Sequence, residues 1–188
     1  MKILALSGSL RAASSNSGLL RAAAALAPRD MVFTFYDQQL AGLPYFSPDL
    51  DGEGATPPDK VAELRALLAG CDGVLISCPE YAHGVPGAFK NALDWIVSSG
   101  ELGGKPTALL MASPSGAQRA QAALVPTLKV MEADLVFEAS LRFARTHLGP
   151  EGQLLDAELA AVVKQALAAL AAAITVRARE QEPDQAHA

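Results

Sequence analysis

Five short apolar segments alternate with longer helical segments along the whole chain, and this alternation limits the possible folds more than any other feature. The apolar, strand-like segments are residues 2–6, 31–36, 72–78, 105–111 and 135–139. The segments with helical spacing of apolar residues are 17–26, 58–68, 86–97, 117–130 and a long Ala-rich stretch from Leu155 to Ile174. Such alternation predicts an α/β fold in which a five-stranded parallel sheet, with right-handed crossovers, is covered by helices on both faces.

The connection after the first strand is the most informative single segment. It reads Gly8-Ser9-Leu10-Arg11-Ala12-Ala13-Ser14-Ser15-Asn16 and leads directly into a helix. Hydroxyl groups, unpaired backbone N–H groups and one guanidinium at a helix N-terminus favour an anion. We interpret it as a phosphate-binding loop, although an ordinary N-capped turn has a similar composition.

The absence of two known nucleotide-binding motifs limits the kinds of nucleotide that this loop is expected to bind. The chain contains neither G-x-x-x-x-G-K-[ST] nor G-x-G-x-x-G, which argues against a nucleoside-triphosphate loop and a dinucleotide fingerprint. Asp37, at the end of the second strand, is either the acidic residue of a dinucleotide fold or a solvated strand-end residue.

Composition excludes several classes of protein. The 188 residues suffice for one domain with a core, and a net charge of −5 with scattered basic residues argues against nucleic acid or an anionic membrane surface as a partner. The N-terminal apolar run is too short for a signal peptide or a spanning helix, so we expect a cytoplasmic protein with no membrane partner. We expect one domain over residues 1–180 and a polar tail over 181–188.

The two cysteines do not fit a disulfide. Cys71 and Cys78 are seven positions apart on either side of a predicted strand, which separates them by roughly 23 Å at about 3.3 Å per residue. The three histidines, His83, His147 and His187, show no metal-ligand spacing.

A second loop with ligand-binding character follows the third strand. It reads Pro79-Glu80-Tyr81-Ala82-His83-Gly84-Val85-Pro86-Gly87. Its glycines allow close backbone approach, and it offers backbone N–H groups and an aromatic face instead of acid–base side chains. This suits a flat heteroaromatic ring, whereas the simpler alternative is a plain strand-to-helix connector. The loop after the fourth strand, residues 112–116, lies at the same edge of the predicted sheet.

These two segments together resemble the NADPH-dependent FMN reductase family. The resemblance rests on Ser-Gly-Ser-Leu-Arg-x-x-Ser-x-Asn at residues 7–16 and on Pro-Glu-Tyr…Val-Pro-Gly-x-x-Lys-Asn-Ala-x-Asp-Trp at residues 79–95. It implies a three-layer flavodoxin-like fold with sheet order 2-1-3-4-5 and a homodimer or homotetramer. It also implies bound FMN, NADPH or NADH as reductant, and a flat small-molecule acceptor such as a quinone, an azo compound or free flavin.

The resemblance also implies which residues bind the cofactor, with no side chain required as a catalytic acid, base or nucleophile. The expected set is Ser9, Arg11, Ser14, Ser15 and Asn16 at the FMN phosphate, Pro79, Glu80, Tyr81, Ala82, His83 and Gly84 along the isoalloxazine, and Ser113 and Gly116 beside it. Ala82 departs from many relatives, which have Asn there, so the ring-facing hydrogen bonds are expected from the backbone. His83 is interpreted as a rim residue, with proton transfer as the alternative.

Two further segments are interpreted structurally. Lys90, Asn91, Asp94 and Trp95 match the family, but Lys90 and Asp94 are four apart on one helix and read as a surface pair. The sequence Leu43-Pro44-Tyr45-Phe46 lies in the long connection 38–57, where its aromatics either pack on a partner subunit, cover the flavin or fold back on the domain.

Three other functions fit the sequence less well. A low-molecular-weight phosphatase needs Cys-x-x-x-x-x-Arg, but Ser77 and Gly84 stand six residues after the two cysteines. A phosphoacceptor domain needs Asp at the end of the third strand, and Asp72 stands at its start. A flavodoxin-type electron carrier that does not oxidise pyridine nucleotide is the serious alternative, and Arg11 together with the modest net charge favours the enzyme.

Overall fold

The computed structural model describes residues 1–52 and 54–181, which form a three-layer α/β fold. Most of the expected C-terminal tail lies outside the described residues. In chain order the elements are β1 Lys2–Ser7, α1 Ser15–Leu26, β2 Val32–Tyr36, α2 Asp59–Ala69, β3 Gly73–Cys78, α3 Gly87–Val97, β4 Pro106–Ser113, α4 Gln118–Val130, β5 Asp134–Arg142 and α5 Ala157–Gln181. Short 3₁₀ helices span Gln38–Gly42, Pro48–Leu50 and Arg145–His147.

The sheet is fully parallel with the order β2-β1-β3-β4-β5, as predicted. The central strands β1, β3 and β4 are buried on both faces apart from Lys2. This explains why they read as nearly continuous apolar runs in the sequence. The strand order reverses between β1 and β3, so the loops after these two strands diverge at the carboxyl edge and leave a crevice there.

Two hydrophobic cores hold the layers together. One lies under α2, α3 and α4 and contains Leu64, Trp95 and Leu124. The other lies under α1 and α5 and contains Leu19 and Leu167. Each helix thus buries one apolar face against the sheet, which is the main source of its stability.

Element boundaries differ from the predicted ones where polar residues end a strand or begin a helix. β4 and β5 continue to Ser113 and Arg142, which pair with each other, although their polar side chains give no hydrophobic signal. α1 begins at Ser15 instead of residue 17, because the Ser14 hydroxyl accepts the Ser17 N–H at 3.3 Å and caps the helix.

Helix α5 has a mean hydropathy of 1.9 over its most apolar window, which by length and composition would also suit a membrane span. In the fold it lies along β4 and β5, with Val163, Leu167 and Leu170 buried in the second core. A core helix of a soluble domain has the same composition, so the hydropathy of α5 is weak support for a membrane span.

Candidate functional site: three loops at the carboxyl edge of the sheet

The loop between β1 and α1 presents hydrogen-bond donors without partners. Within the described part of the chain, the backbone N–H groups of Ser15 and Asn16, at the start of α1, make no hydrogen bond. The Arg11 side chain is exposed, and its guanidinium has no partner among the described residues. Two free amides, the positive end of a helix dipole and a free guanidinium form a donor set that matches the oxygens of a phosphate monoester.

A buried polar cluster supports this loop from below, and sequence reasoning missed it. Ser17 donates its hydroxyl to Ser7 Oγ at 3.1 Å, and the Ser9 N–H points to the same oxygen at 3.4 Å. Ser77, which pairs with Ser7 in the sheet, donates to Asn16 Oδ1 at 2.8 Å. Buried polar groups need such partners, so the cluster fixes the path of the loop.

Asn16 itself therefore faces the sheet, not the mouth of the loop. Its side chain is 3% exposed and donates from Nδ2 to the Ala112 carbonyl at 3.1 Å, in addition to its bond with Ser77. Asn16 thus ties α1 to both β3 and β4. Its backbone N–H remains available to a ligand, whereas its side chain has a supporting role that the sequence did not reveal.

The loop after β3 contains a tight turn with unusual backbone angles. Tyr81 and Gly84 exchange two backbone hydrogen bonds at 3.1 and 2.9 Å. Ala82 and His83 between them have φ values of +48° and +64°, as in a type I′ turn. The left-handed region disfavours non-glycine residues, so the surrounding contacts must hold this turn in place. One such contact joins Tyr81 Oη to Ser9 Oγ at 3.2 Å and links the turn to the first loop.

The Glu80 carboxylate bridges the turn and the first turn of α4. Its Oε2 accepts the N–H groups of Arg119 at 3.0 Å and Ala120 at 2.9 Å, and its Oε1 lies 3.2 Å from His83 Nδ1. The Ala120 N–H, followed by the His83 ring, lowers the pKa of the Glu80 carboxyl below its usual range. The Glu80 side chain thus binds the N-terminal end of α4.

The third loop, between β4 and α4, is shaped by its own hydroxyl groups. The Ser113 hydroxyl donates to the Gly116 carbonyl, and the Ser113 carbonyl accepts the N–H groups of Gly116 and Phe143. Gly116 has a φ of +85°, and a Cβ there would lie 2.7 Å from the Gln118 side chain. Ser113 and Gly116 therefore set the shape of the third loop at the edge where Glu80 contacts α4.

A cavity of about 400 Å³ opens between the first loop and the start of α3. Its lining residues are Gly8, Leu10, Arg11, Tyr81, Pro86, Gly87 and Ala88. A Cβ added to Gly87 would meet nothing within 4 Å, so it would project into open space. A second cavity of about 440 Å³ shares Leu10, Gly87 and Ala88 with it and extends the groove towards Pro44 and Tyr45.

The segment 43–46 folds back onto α3, which decides one of the alternatives left open by the sequence. Phe46 packs edge-on against Trp95 at a centroid distance of 5.2 Å, and Leu43 is buried. The Pro44 carbonyl accepts from Asn91 Nδ2 at 2.9 Å and from Trp95 Nε1 at 2.8 Å. Tyr45 alone of the four points outward, with 89% of its surface exposed.

The structural interpretation of the α3 residues is confirmed. Lys90 and Asp94 form a surface ion pair, and Asn91 and Trp95 hold the segment 43–46. Asp37 is likewise engaged within the fold, because it accepts from Arg21 at 3.0 Å and from the Gln38 N–H at 2.7 Å.

A further cavity of about 520 Å³ lies at the opposite, amino-terminal edge of the sheet and contains Cys71 and Lys105. The Lys105 ammonium is buried and donates to the carbonyls of Leu68 and Cys71, both at 2.7 Å. Burial lowers the pKa of Lys105 and raises that of the Cys71 thiol. The Lys105 ammonium thus caps carbonyl groups at the C-terminal end of α2. Both cysteines are free and buried.

A family model and several known proteins resemble this chain. The family model described as NADPH-dependent FMN reductase matches residues 1–147. An NAD(P)H-dependent FMN reductase of Pseudomonas aeruginosa is 34% identical over 90% of this chain and 93% of its own length. A probable NADPH:quinone oxidoreductase of Oryza sativa is 31% identical over 97% of this chain and 95% of its own length.

Among solved structures, FerB of Paracoccus denitrificans, a flavoenzyme NAD(P)H:(acceptor) oxidoreductase, superimposes with a TM-score of 0.79. It is 26% identical, and the match covers 93% of this chain and 97% of FerB. A 2-hydroxy-1,4-benzoquinone reductase of Burkholderia is 41% identical over 58% of this chain and 59% of its own length.

Proposed function

Because the chain belongs to the NADPH-dependent FMN reductase family, we propose that its three carboxyl-edge loops hold FMN and admit a quinone-type acceptor. The protein is an FMN-dependent NAD(P)H oxidoreductase. FMN, when bound, supplies the redox chemistry by accepting a hydride from the nicotinamide and passing two electrons to the acceptor.

The phosphate is assigned to the first loop. Arg11 supplies a fork of charged donors, Ser15 supplies a hydroxyl and an N–H, and Asn16 supplies an N–H. Ser9 and Ser14 complete the expected set as shaping residues, since their hydroxyl groups already contact Tyr81 and the Ser17 N–H. The unpartnered donors at the α1 N-terminus are the single observation that carries the assignment, because such donors favour a doubly charged anion.

The isoalloxazine is assigned to the second and third loops. In the described chain the N–H groups of Ala82 and His83 make no hydrogen bond, and they can therefore serve the polar edge of a ring. Pro79 and Gly84 give this edge its shape, while Ser113 and Gly116 form the neighbouring wall. The Ala82 side chain has no polar atom, so backbone donors replace the Asn side chain found in many relatives.

The acceptor class follows from the groove beside Arg11 and Tyr81. Leu10, Pro86 and Ala88 give the cavity apolar walls, and its volume of about 400 Å³ admits a single flat ring system. The named relatives include quinone reductases, which supports a benzoquinone or naphthoquinone in this role. The reductant in this proposal is NADPH or NADH, which the names of the family and of the relatives support.

The oligomeric state and the cellular location of the protein are also part of the proposal. Tyr45, Leu10 and Tyr81 expose apolar surface around the groove, and a homodimer or homotetramer would cover it. We place the protein in the cytoplasm, where two free buried cysteines are compatible with a reducing environment. Small molecules are the expected partners, and neither nucleic acid nor a membrane is part of the proposal.

The test begins with purified protein incubated with FMN and desalted. We expect a retained flavin spectrum and oxidation of NADPH that depends on an added benzoquinone. Loss of both would refute the function. Retained FMN without oxidation of either nicotinamide would instead identify a flavodoxin-type electron carrier.

A further inference from the structure

Glu80 connects two loops of the site that the sequence separates by about 40 residues. Its carboxylate accepts the N–H groups of Arg119 and Ala120 in the first turn of α4, at 3.0 and 2.9 Å. The residue preceding this helix is Ala117, which has no side-chain cap of its own. An acidic group at this position is favoured both by the free N–H groups and by the helix dipole. Glu80 thus provides a cap for α4 from another loop.

The turn that follows Glu80 is held at its other side by the first loop. Tyr81 Oη contacts Ser9 Oγ at 3.2 Å, and the turn closes on itself through the two Tyr81–Gly84 backbone bonds. Ala82 and His83 remain in the left-handed region between these anchors. Since the left-handed region is unfavourable for both residues, the turn persists because contacts on both sides over-determine it.

We propose that Glu80 is a positioning residue for flavin chemistry: it locks the Tyr81–Gly84 turn to α4 so that the N–H groups of Ala82 and His83 stay in place. This inference rests on the proposed function, because it assumes that these donors serve the ring. Both carboxylate oxygens are already engaged, Oε2 by the two N–H groups of α4 and Oε1 by His83 Nδ1 at 3.2 Å, so the carboxylate is not available to the ligand. The role therefore differs from that of a cofactor contact.

A plain helix cap is the competing explanation, and the chain offers a matched control. Asp156 accepts the N–H groups of Glu158 at 2.8 Å and Leu159 at 3.2 Å in the first turn of α5. It is thus a carboxylate that accepts two helix N–H groups, as Glu80 does. No part of the proposed flavin site involves Asp156, so its removal measures the effect of losing a helix cap alone.

The experiment compares Glu80→Ala, Glu80→Gln and Asp156→Ala with the unaltered chain, each loaded with FMN. The measurements are Tm, the Kd for FMN, kcat and KM for NADPH with a benzoquinone, and the visible circular dichroism of the bound flavin. We expect both alanine variants to lower Tm by similar amounts. Only Glu80→Ala should lower kcat/KM, by about 10- to 100-fold, because small displacements of positioning groups have effects of this size.

The flavin dichroism band should change in Glu80→Ala and stay unchanged in Asp156→Ala. Glu80→Gln retains one acceptor oxygen and should lie between Glu80→Ala and the unaltered chain, and it keeps the test valid should the alanine variant fail to fold. Unaltered kcat/KM and dichroism in FMN-loaded Glu80 variants would overturn the proposal and leave Glu80 as a helix cap. If the unaltered chain itself retained no FMN, the proposed function would fail first, which is a distinguishable result.

Discussion

Replacement of Arg11 by alanine should weaken FMN binding while leaving the fold intact. The guanidinium is exposed and makes no hydrogen bond within the described residues, so we expect a change of less than about 0.5 kcal/mol in the free energy of unfolding. A hydrogen bond to a charged group contributes about 1.5–3 kcal/mol. Solvent screens the Arg11 charge, and the Ser15 and Asn16 N–H groups remain, so the effect on binding should lie at the lower end of that range.

A loss of about 1.5–2 kcal/mol corresponds to a Kd for FMN that is about 10- to 30-fold higher. The assay is fluorescence titration of FMN, repeated with riboflavin, which has the same ring but no phosphate. Riboflavin affinity should be unchanged in Arg11→Ala. Raising the salt concentration should narrow the difference between the two proteins, because screening weakens the exposed charge in the unaltered chain.

Arg29 provides the matched control for charge. It is also exposed and lies just before β2, at the opposite edge of the sheet, so Arg29→Ala changes the net charge equally without touching the first loop. We expect its FMN affinity to match that of the unaltered chain. The reasoning would be refuted if Arg11→Ala bound FMN normally, or if it lost FMN and riboflavin affinity to the same extent.

Three further predictions concern the free energy of unfolding, measured by urea denaturation. Tyr36→Phe should stabilise the fold by about 1 kcal/mol, because the buried Tyr36 hydroxyl has no partner among the described residues. Burial, together with the negative charge of Glu63, also raises the pKa of Tyr36 to about 12. Ala82→Asn should stabilise it by about 0.5–1 kcal/mol, since Asn tolerates the left-handed region better. Asp37→Asn should make the free energy of unfolding decrease less steeply as the pH is lowered. Burial raises the pKa of Asp37, but the Gln38 N–H and Arg21 outweigh this and lower it.

The direction of this pH effect follows from the coupling between proton binding at Asp37 and folding. A carboxyl whose pKa is lower in the folded state contributes stability above its unfolded pKa, near 3.9, and loses that contribution as pH falls through the folded value. A free energy of unfolding that decreased more steeply at acidic pH in Asp37→Asn than in the unaltered chain would contradict this. A destabilised Tyr36→Phe would indicate a partner for the hydroxyl, and a destabilised Ala82→Asn would show that the turn does not strain residue 82.

The architecture was predictable because it depends on local patterns. Buried parallel strands are nearly continuous apolar runs, and helices on a sheet have one apolar face, so the number and order of elements follow from periodicity alone. The order 2-1-3-4-5 came from the family resemblance, and the fold confirms it. The positions of the three loops could also be inferred, because parallel strands bring their carboxyl ends to one edge.

Tertiary structure alone assigned the side chains of that edge to their partners. Asn16 and Glu80 have the residue types of ligand contacts, yet the Asn16 amide joins α1 to β3 and β4, and the Glu80 carboxylate caps a helix about 40 residues away. Ser7 belongs to the 7–16 motif and Ser77 interrupts an apolar strand, but the sequence did not show that both join the polar cluster beneath the first loop. A hydrogen bond depends on distances of a few tenths of an ångström between distant segments, and neither composition nor periodicity encodes such distances.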